Sequence, residues 1–196
     1  MRVSAVTLAG LVMLLAVTGC VPMRFSGYEA SGNGKQQRGY CIAWIKDELL
    51  IEAPRKVDLI VRARVPEYGN ALDVMAEMRI PKGVVARWLD TVVTYASSEW
   101  SAPRVGRILG IRGPGSVPTP DSPIRGELTG GMFDRGAAHY VSFSDPDGKS
   151  LLGDSDHPIQ RFSMTLPALD VDGVRFDPGT VHFKAYQKWG QYSCVQ

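Results

Sequence analysis

The stretch VDLIVRARVPEYGNALDVMAEMRIP, residues 57–81, decides the fold class. In its first half Val57, Leu59, Val61, Ala63 and Val65 fall at every second position, and Asp58, Arg62 and Arg64 lie on the opposite side. Successive side chains of an extended chain point to opposite faces, so this period describes a strand with one face buried. The second half repeats the pattern, with Leu72, Val74, Ala76, Met78 and Ile80 inward and Asp73, Glu77 and Arg79 outward. EYGN between them supplies a turn, and the two runs are expected to pair as an antiparallel hairpin. Ala, Leu, Met and Glu are good helix formers, which makes helix the rival reading for ALDVMAEMR. The alternation and the proline at each end decide for strand.

The same signals extend in both directions. VVARWLDTVVTYAS (84–97) is rich in β-branched and aromatic residues, and strands are expected again in HYVSFSD (139–145), QRFSMTLPAL (160–169), GVRF (173–176) and TVHFKAYQKWGQYSCV (180–195). IAWIKDELL (42–50) is the place where a helix is expected. Residues 103–126 combine Pro103, Pro114, Pro118, Pro120 and Pro123 with several glycines and read as a long loop, with room for one strand at RVGRILGIR. Loops of that length in a compact domain are often functional or mobile. Thirteen prolines and 21 glycines favour many turns over long helices. The expected fold is therefore mainly β: an antiparallel β-sandwich, immunoglobulin-like or transthyretin-like, with long Pro/Gly-rich loops.

The amino terminus is of a different kind. Arg2 precedes VSAVTLAGLVMLLAVTG, residues 3–19, which carry no charge. A positive start, an apolar core and small residues at the end are the layout of an export signal. The run is shorter than the roughly 20 apolar residues that a spanning helix needs. No basic cluster follows it, since the next charge is the single Arg24. Val17-Thr18-Gly19-Cys20 resembles the lipobox of bacterial lipoproteins. The resemblance covers the first 20 residues only. It implies cleavage before Cys20, a diacylglycerol on its sulfur and acylation of the freed amine. Each buried acyl CH₂ contributes about 0.8 kcal/mol, so two or three chains hold a domain firmly on a bilayer. Val21-Pro22 after the cysteine implies, by the same resemblance, outer-membrane sorting; that the domain faces the periplasm is expected separately and is not read from the motif.

Residues 21–39 hold Gly27, Gly32, Gly34 and Gly39 among polar residues without apolar periodicity, and are expected to be a flexible tether. The organisation read from the chain is a signal peptide at 1–19, a lipidated tether at 20–39 and one β-rich domain at 40–196. Twenty-two basic and 20 acidic residues form no basic stripe, which argues against nucleic acid as a partner. Cys41 and Cys194 remain once Cys20 is assigned to lipid. An even pair in an exported chain is expected to form a disulfide joining the two ends of the domain, two buried thiols being the alternative.

Candidate sites are few. Asp145, Asp147, Asp154 and Asp156, near His157, offer oxygen ligands for Ca²⁺. Counted from Asp145, however, the sixth position is Ser150 rather than Gly, and Asp-Pro-Asp-Gly is also a plain turn sequence. His139, His157 and His182 could each serve as a base, but the chain has no G-x-S-x-G elbow, H-E-x-x-H pair or phosphate-binding glycine loop. No cofactor is implied. Trp44 and Trp189 each lie close to a presumed half-cystine. Trp100, entering the proline-rich loop, is the best candidate for an exposed contact, and with Pro114, Pro118 and Pro120 it outlines a partner-binding surface. The leading expectation is a lipid-anchored binding module of the cell envelope with a protein partner. Transthyretin-like lipoproteins of secretion machines and lipoprotein immunity proteins are similar in layout. An envelope hydrolase using His and Asp residues and a purely structural lipoprotein are the competing readings.

Overall fold

The computed structural model describes residues 23–38, 46–64, 73–114, 119–127, 138–144 and 159–190. The hairpin read from residues 57–81 is present. Strands β4 (Val57–Arg64) and β5 (Asp73–Arg79) pair antiparallel, with Leu59 opposite Met78, Val61 opposite Ala76 and Ala63 opposite Val74. All six side chains are buried.

Around this hairpin the chain builds a ten-stranded antiparallel sheet. Its other strands are β1 (Met23–Gly32), β2 (Lys35–Gln37), β3 (Glu48–Ala53), β7 (Val92–Ala96), β8 (Arg104–Arg112), β10 (His139–Ser144), β11 (Arg161–Thr165) and β14 (Thr180–Gly190). Their order is β1-β14-β11-β7-β8-β10-β5-β4-β3-β2. The two edges, β1 and β2, are consecutive in the chain and meet. The Ala30 amide donates to the Lys46 carbonyl at 3.2 Å, and Gln36 Nε2 donates to the Ala30 carbonyl at 2.7 Å. The sheet is therefore nearly closed and barrel-like, and curling the edges together hides backbone groups that an open sheet would present to other chains. The expectation of a mainly β, antiparallel fold holds.

A second sheet, ordered β13-β12-β6-β9, comprises β6 (Val85–Trp88), β9 (Ile124–Arg125), β12 (Leu169–Val171) and β13 (Val174–Phe176). β12 and β13 are joined by Asp172 and Gly173, both at positive φ, as a two-residue hairpin turn matching the strand twist requires. The core is shared. Trp88, Ile124, Leu169 and Val171 of the small sheet belong to the same apolar cluster as Tyr28, Leu49, Tyr95, Met164 and Phe183 of the large one. Each such large side chain, fully buried, stabilises by about 1.5–3 kcal/mol.

Three expectations are corrected. Residues 23–37, read as part of a flexible tether, form β1 and β2, and β1 pairs with β14 along its whole length from Met23–Gly190 to Gly32–Val181. Tyr28 and Ala30 are fully buried, and the Tyr28 hydroxyl donates to the Ile159 carbonyl at 2.8 Å. Pairing with a strand far along the chain supplies the order that local apolar content does not. Glu48, Leu49 and Leu50, read as the end of a helix, open β3, where Leu49 faces the core opposite Val61. The rest of that run lies outside the described residues, apart from Lys46 and Asp47, which lead into the strand. In the stretch 103–126, read as a long loop with room for one strand, that strand is present at RVGRILGIR as β8, and what is corrected is the extent of the loop, since Ile124–Arg125 form a further short strand, β9.

Candidate binding surface

The inner face of the barrel is a packed core, so chemistry directed at other molecules belongs to the outer face and the turns. On the outer face of β3, β4 and β5, charge is paired. Arg62 Nη1 meets Glu48 Oε1 at 2.8 Å and Arg79 Nε meets Glu77 Oε1 at 2.7 Å, with all but Arg79 largely buried. Ile60, on the same outward side and only 3% exposed, lies outside the central core cluster.

On β8 the outer face is different. Gly106, Ile108 and Ile111 turn inward, leaving Arg104, Val105, Arg107, Leu109 and Arg112 to solvent. Register explains why Ile111 does not share the outward face of Leu109. Ser142 of β10 pairs with Gly110, while the next residue, Phe143, pairs with Ile108. Leu109 is the extra residue of a β-bulge, a device that re-aims a side chain, and it stands 54% exposed. Val105 is 52% exposed, and on the flanking strands Val92 and Tyr140 are also exposed. Val92 lies opposite Arg107, and Tyr140 opposite Arg112. Among the described residues, Arg107 and Arg112 have no ion-pair partner. The result is an apolar patch bordered by Arg107 and Arg112.

Trp100 sits in the turn between β7 and β8, partly packed on the core. The Arg104 guanidinium lies 4.2 Å from its ring centroid, a cation–π contact worth about 0.5–1 kcal/mol at an exposed site. Trp100 therefore borders the β8 face and is half-buried. Pro114 lies just past β8 and Pro120 is half-buried in a turn, where Thr119 Oγ1 donates to the Asp121 carboxylate at 2.5 Å. That bond holds the Asp121 carboxyl below its ordinary pKa. Pro118 lies outside the described residues.

The histidines do not come together. His139 points inward on β10 opposite Met78 and is fully buried. Among the described residues neither ring nitrogen reaches a hydrogen-bond partner. Burial lowers its pKa, with the nearby Arg125 main chain and Glu127 carboxylate acting in the other direction. His182 is exposed on the outer face of β14 between Ser31 and Ser163. The Ser31 hydroxyl contacts the main-chain carbonyl of His182 at 3.4 Å. Cys20, Cys41, Cys194, Trp44, His157 and the acidic residues Asp145, Asp147, Asp154 and Asp156 lie outside the described residues. Among the described residues, no three His, Cys, Asp or Glu side chains converge as a metal site.

The β8 patch escapes sequence reading because strict alternation does not put Val105 and Leu109 on one face opposite both Ile108 and Ile111. Only the bulge does so. The spacing of RVGRILGIR around two glycines is the trace it leaves in the sequence. No family model, curated protein or solved structure matches the chain, so its functional reading rests on its own residues.

Proposed function

We propose that this chain is a non-catalytic binding module of the bacterial cell envelope, anchored through lipid on Cys20 at the outer membrane and facing the periplasm, which docks a protein partner through the outer face of β7, β8 and β10. One observation carries the docking role. Val105 and Leu109 stand exposed beside Arg107 and Arg112, which lack acidic partners among the described residues, whereas the charges over β3–β5 are paired. Arginine and aromatic residues around an apolar centre are the composition of protein interfaces, where a few such side chains dominate affinity. The complementary partner has an apolar centre ringed by carboxylates. Rigid β scaffolds of the immunoglobulin-like or transthyretin-like kind present binding side chains in this manner, an analogy of architecture alone.

The test pairs two measurements. Palmitate labelling should mark the wild type and not Cys20→Ser; equal labelling would remove the anchor from the reading. Full-length protein purified from detergent-solubilised envelope should bring down one stoichiometric partner. Leu109→Glu should lose it without a change in melting temperature, and Trp189→Ala should keep it. Retention of the partner by Leu109→Glu would overturn the docking face.

A further inference from the structure

Beside the β8 face, the outer surface of β1, β14, β11 and β7 holds a depression of about 400 Å³ with different chemistry. Register aligns Ser31, His182, Ser163 and Ala96 in one row across the four strands. Lys184 and Arg161 stand side by side one row away, and the turn after β7, with Ser97 and Ser98, contributes to the wall. The floor is rigid. Beneath it the rings of Phe162 and Phe183 stack with centroids 4.6 Å apart, and Tyr28 meets Phe162 edge-on at 5.3 Å.

Of the two neighbouring carboxylates, Glu29 is neutralised by an ion pair, whereas Glu99 keeps its charge and is held by neutral amides. Glu29, cross-strand from Lys184, pairs with Lys188 Nζ at 2.7 Å. Glu99 Oε1 accepts from the backbone amides of Gln160 at 2.7 Å and Arg161 at 3.4 Å. The side chains of Arg161 and Lys184 therefore have no ion-pair partner among the described residues. Ser97 Oγ donates to the Arg161 carbonyl at 2.7 Å and fixes the strand end from which the guanidinium projects.

Two cations without an ion-pair partner among the described residues, set against the single retained charge of Glu99, stand with an imidazole and small hydroxyls around a shallow floor. They complement a tetrahedral oxyanion, since guanidinium and ammonium supply charge and hydroxyls supply polar contacts. The volume is more than a bare ion fills and lies low in the roughly 300–1,000 Å³ range of small-molecule sites. We propose that this depression binds a phosphomonoester carried on a small polar body, with Arg161 and Lys184 on the phosphate and Ser31, Ser163 and His182 toward the carrier. A soluble sugar phosphate and a phosphorylated lipid headgroup share that chemistry. The site does not depend on the docking face and stands or falls separately from it.

Isothermal titration of full-length protein in non-ionic detergent tests this, with glucose 6-phosphate, glucose and dihexanoyl phosphatidic acid as probes. At least one phosphomonoester should bind saturably, roughly tenfold or more tighter than glucose. Tighter glucose 6-phosphate identifies a soluble source, and tighter phosphatidic acid a lipid one. The double variant Arg161→Gln, Lys184→Gln should weaken binding roughly tenfold or more while melting at the wild-type temperature. The absence of saturable phosphomonoester binding in the millimolar range, or equal binding of glucose, would overturn the proposal. So would a double variant that binds as the wild type does.

Discussion

Replacing Gly126 by alanine tests how tightly the small sheet is locked onto the barrel. Gly126 follows β9, and its amide donates to the Val84 carbonyl at 2.8 Å. A Cβ at this position would stand 2.6 Å from the Ile80 carbonyl oxygen and 2.7 Å from Ile80 Cγ2, and closer still to the Pro81 carbonyl. Two of these obstacles are backbone, so a rotamer change cannot relieve them. Overpacking of this kind costs about 1–3 kcal/mol or more, and pushing the strand away also weakens the bond to Val84, adding about 1 kcal/mol. The sum is about 3 kcal/mol. At about 2–4 °C per kcal/mol for a chain of this size, the melting temperature should fall by roughly 10 °C. Gly110→Ala is the control, because the added methyl would have no atom within 4 Å of it. It should shift stability by no more than about 1 kcal/mol. Calorimetric melting of both variants decides. Equal melting of Gly126→Ala and wild type, or an equal loss in Gly110→Ala, would refute the packing argument.

Two further outcomes follow from buried polar groups. Burial holds His139 below its usual 6.5, so the unfolded chain takes up that proton first. The contribution is complete above pH 6.5 and declines as pH falls toward the folded-state pKa, by at most about 1.4 kcal/mol per pH unit. Urea unfolding midpoints between pH 8 and 5 should show this slope, and His139→Leu should flatten it; an unchanged slope in that variant would assign the effect elsewhere. Arg62→Met should cost about 1.5–3 kcal/mol by leaving the Glu48 carboxylate nearly buried without its cation. Adding Glu48→Gln should recover part of that loss in a double-mutant cycle, and strict additivity would argue against coupling.

How much of the molecule is legible in its sequence depends on where each signal resides. The β4–β5 hairpin is legible because its alternation is local and strict, and both strands bury one face against the same core. Ile60 breaks the scheme. It sits on the outward phase yet is buried, and period two says nothing about what covers the far side of a strand. β1 is illegible for the opposite reason. Its described core residues, Tyr28 and Ala30, are too few to set a period, and its partner β14 lies far along the chain. Trp100 follows from composition and context, whereas the inward turn of Ile111, which shares the phase of Leu109, depends on a bulge, and the row of Ser31, His182 and Ser163 on the register of three separated strands. Such sites are properties of pairing, and a single run of sequence does not contain them.

The early start of β1 changes the picture of how the molecule would sit on a bilayer. Only Val21 and Pro22 separate Cys20 from Met23, the first residue of that strand. Three residues reach at most about 10 Å, so an acylated Cys20 is a short leash. Such a leash would bring the rim where Met23 lies opposite Gly190 against the headgroups, with Trp189, 71% exposed, one residue from it. On such a leash the outer faces of the barrel would look sideways along the membrane rather than away from it. A partner sharing that membrane would meet the β8 face by lateral diffusion, and the encounter becomes a search in two dimensions.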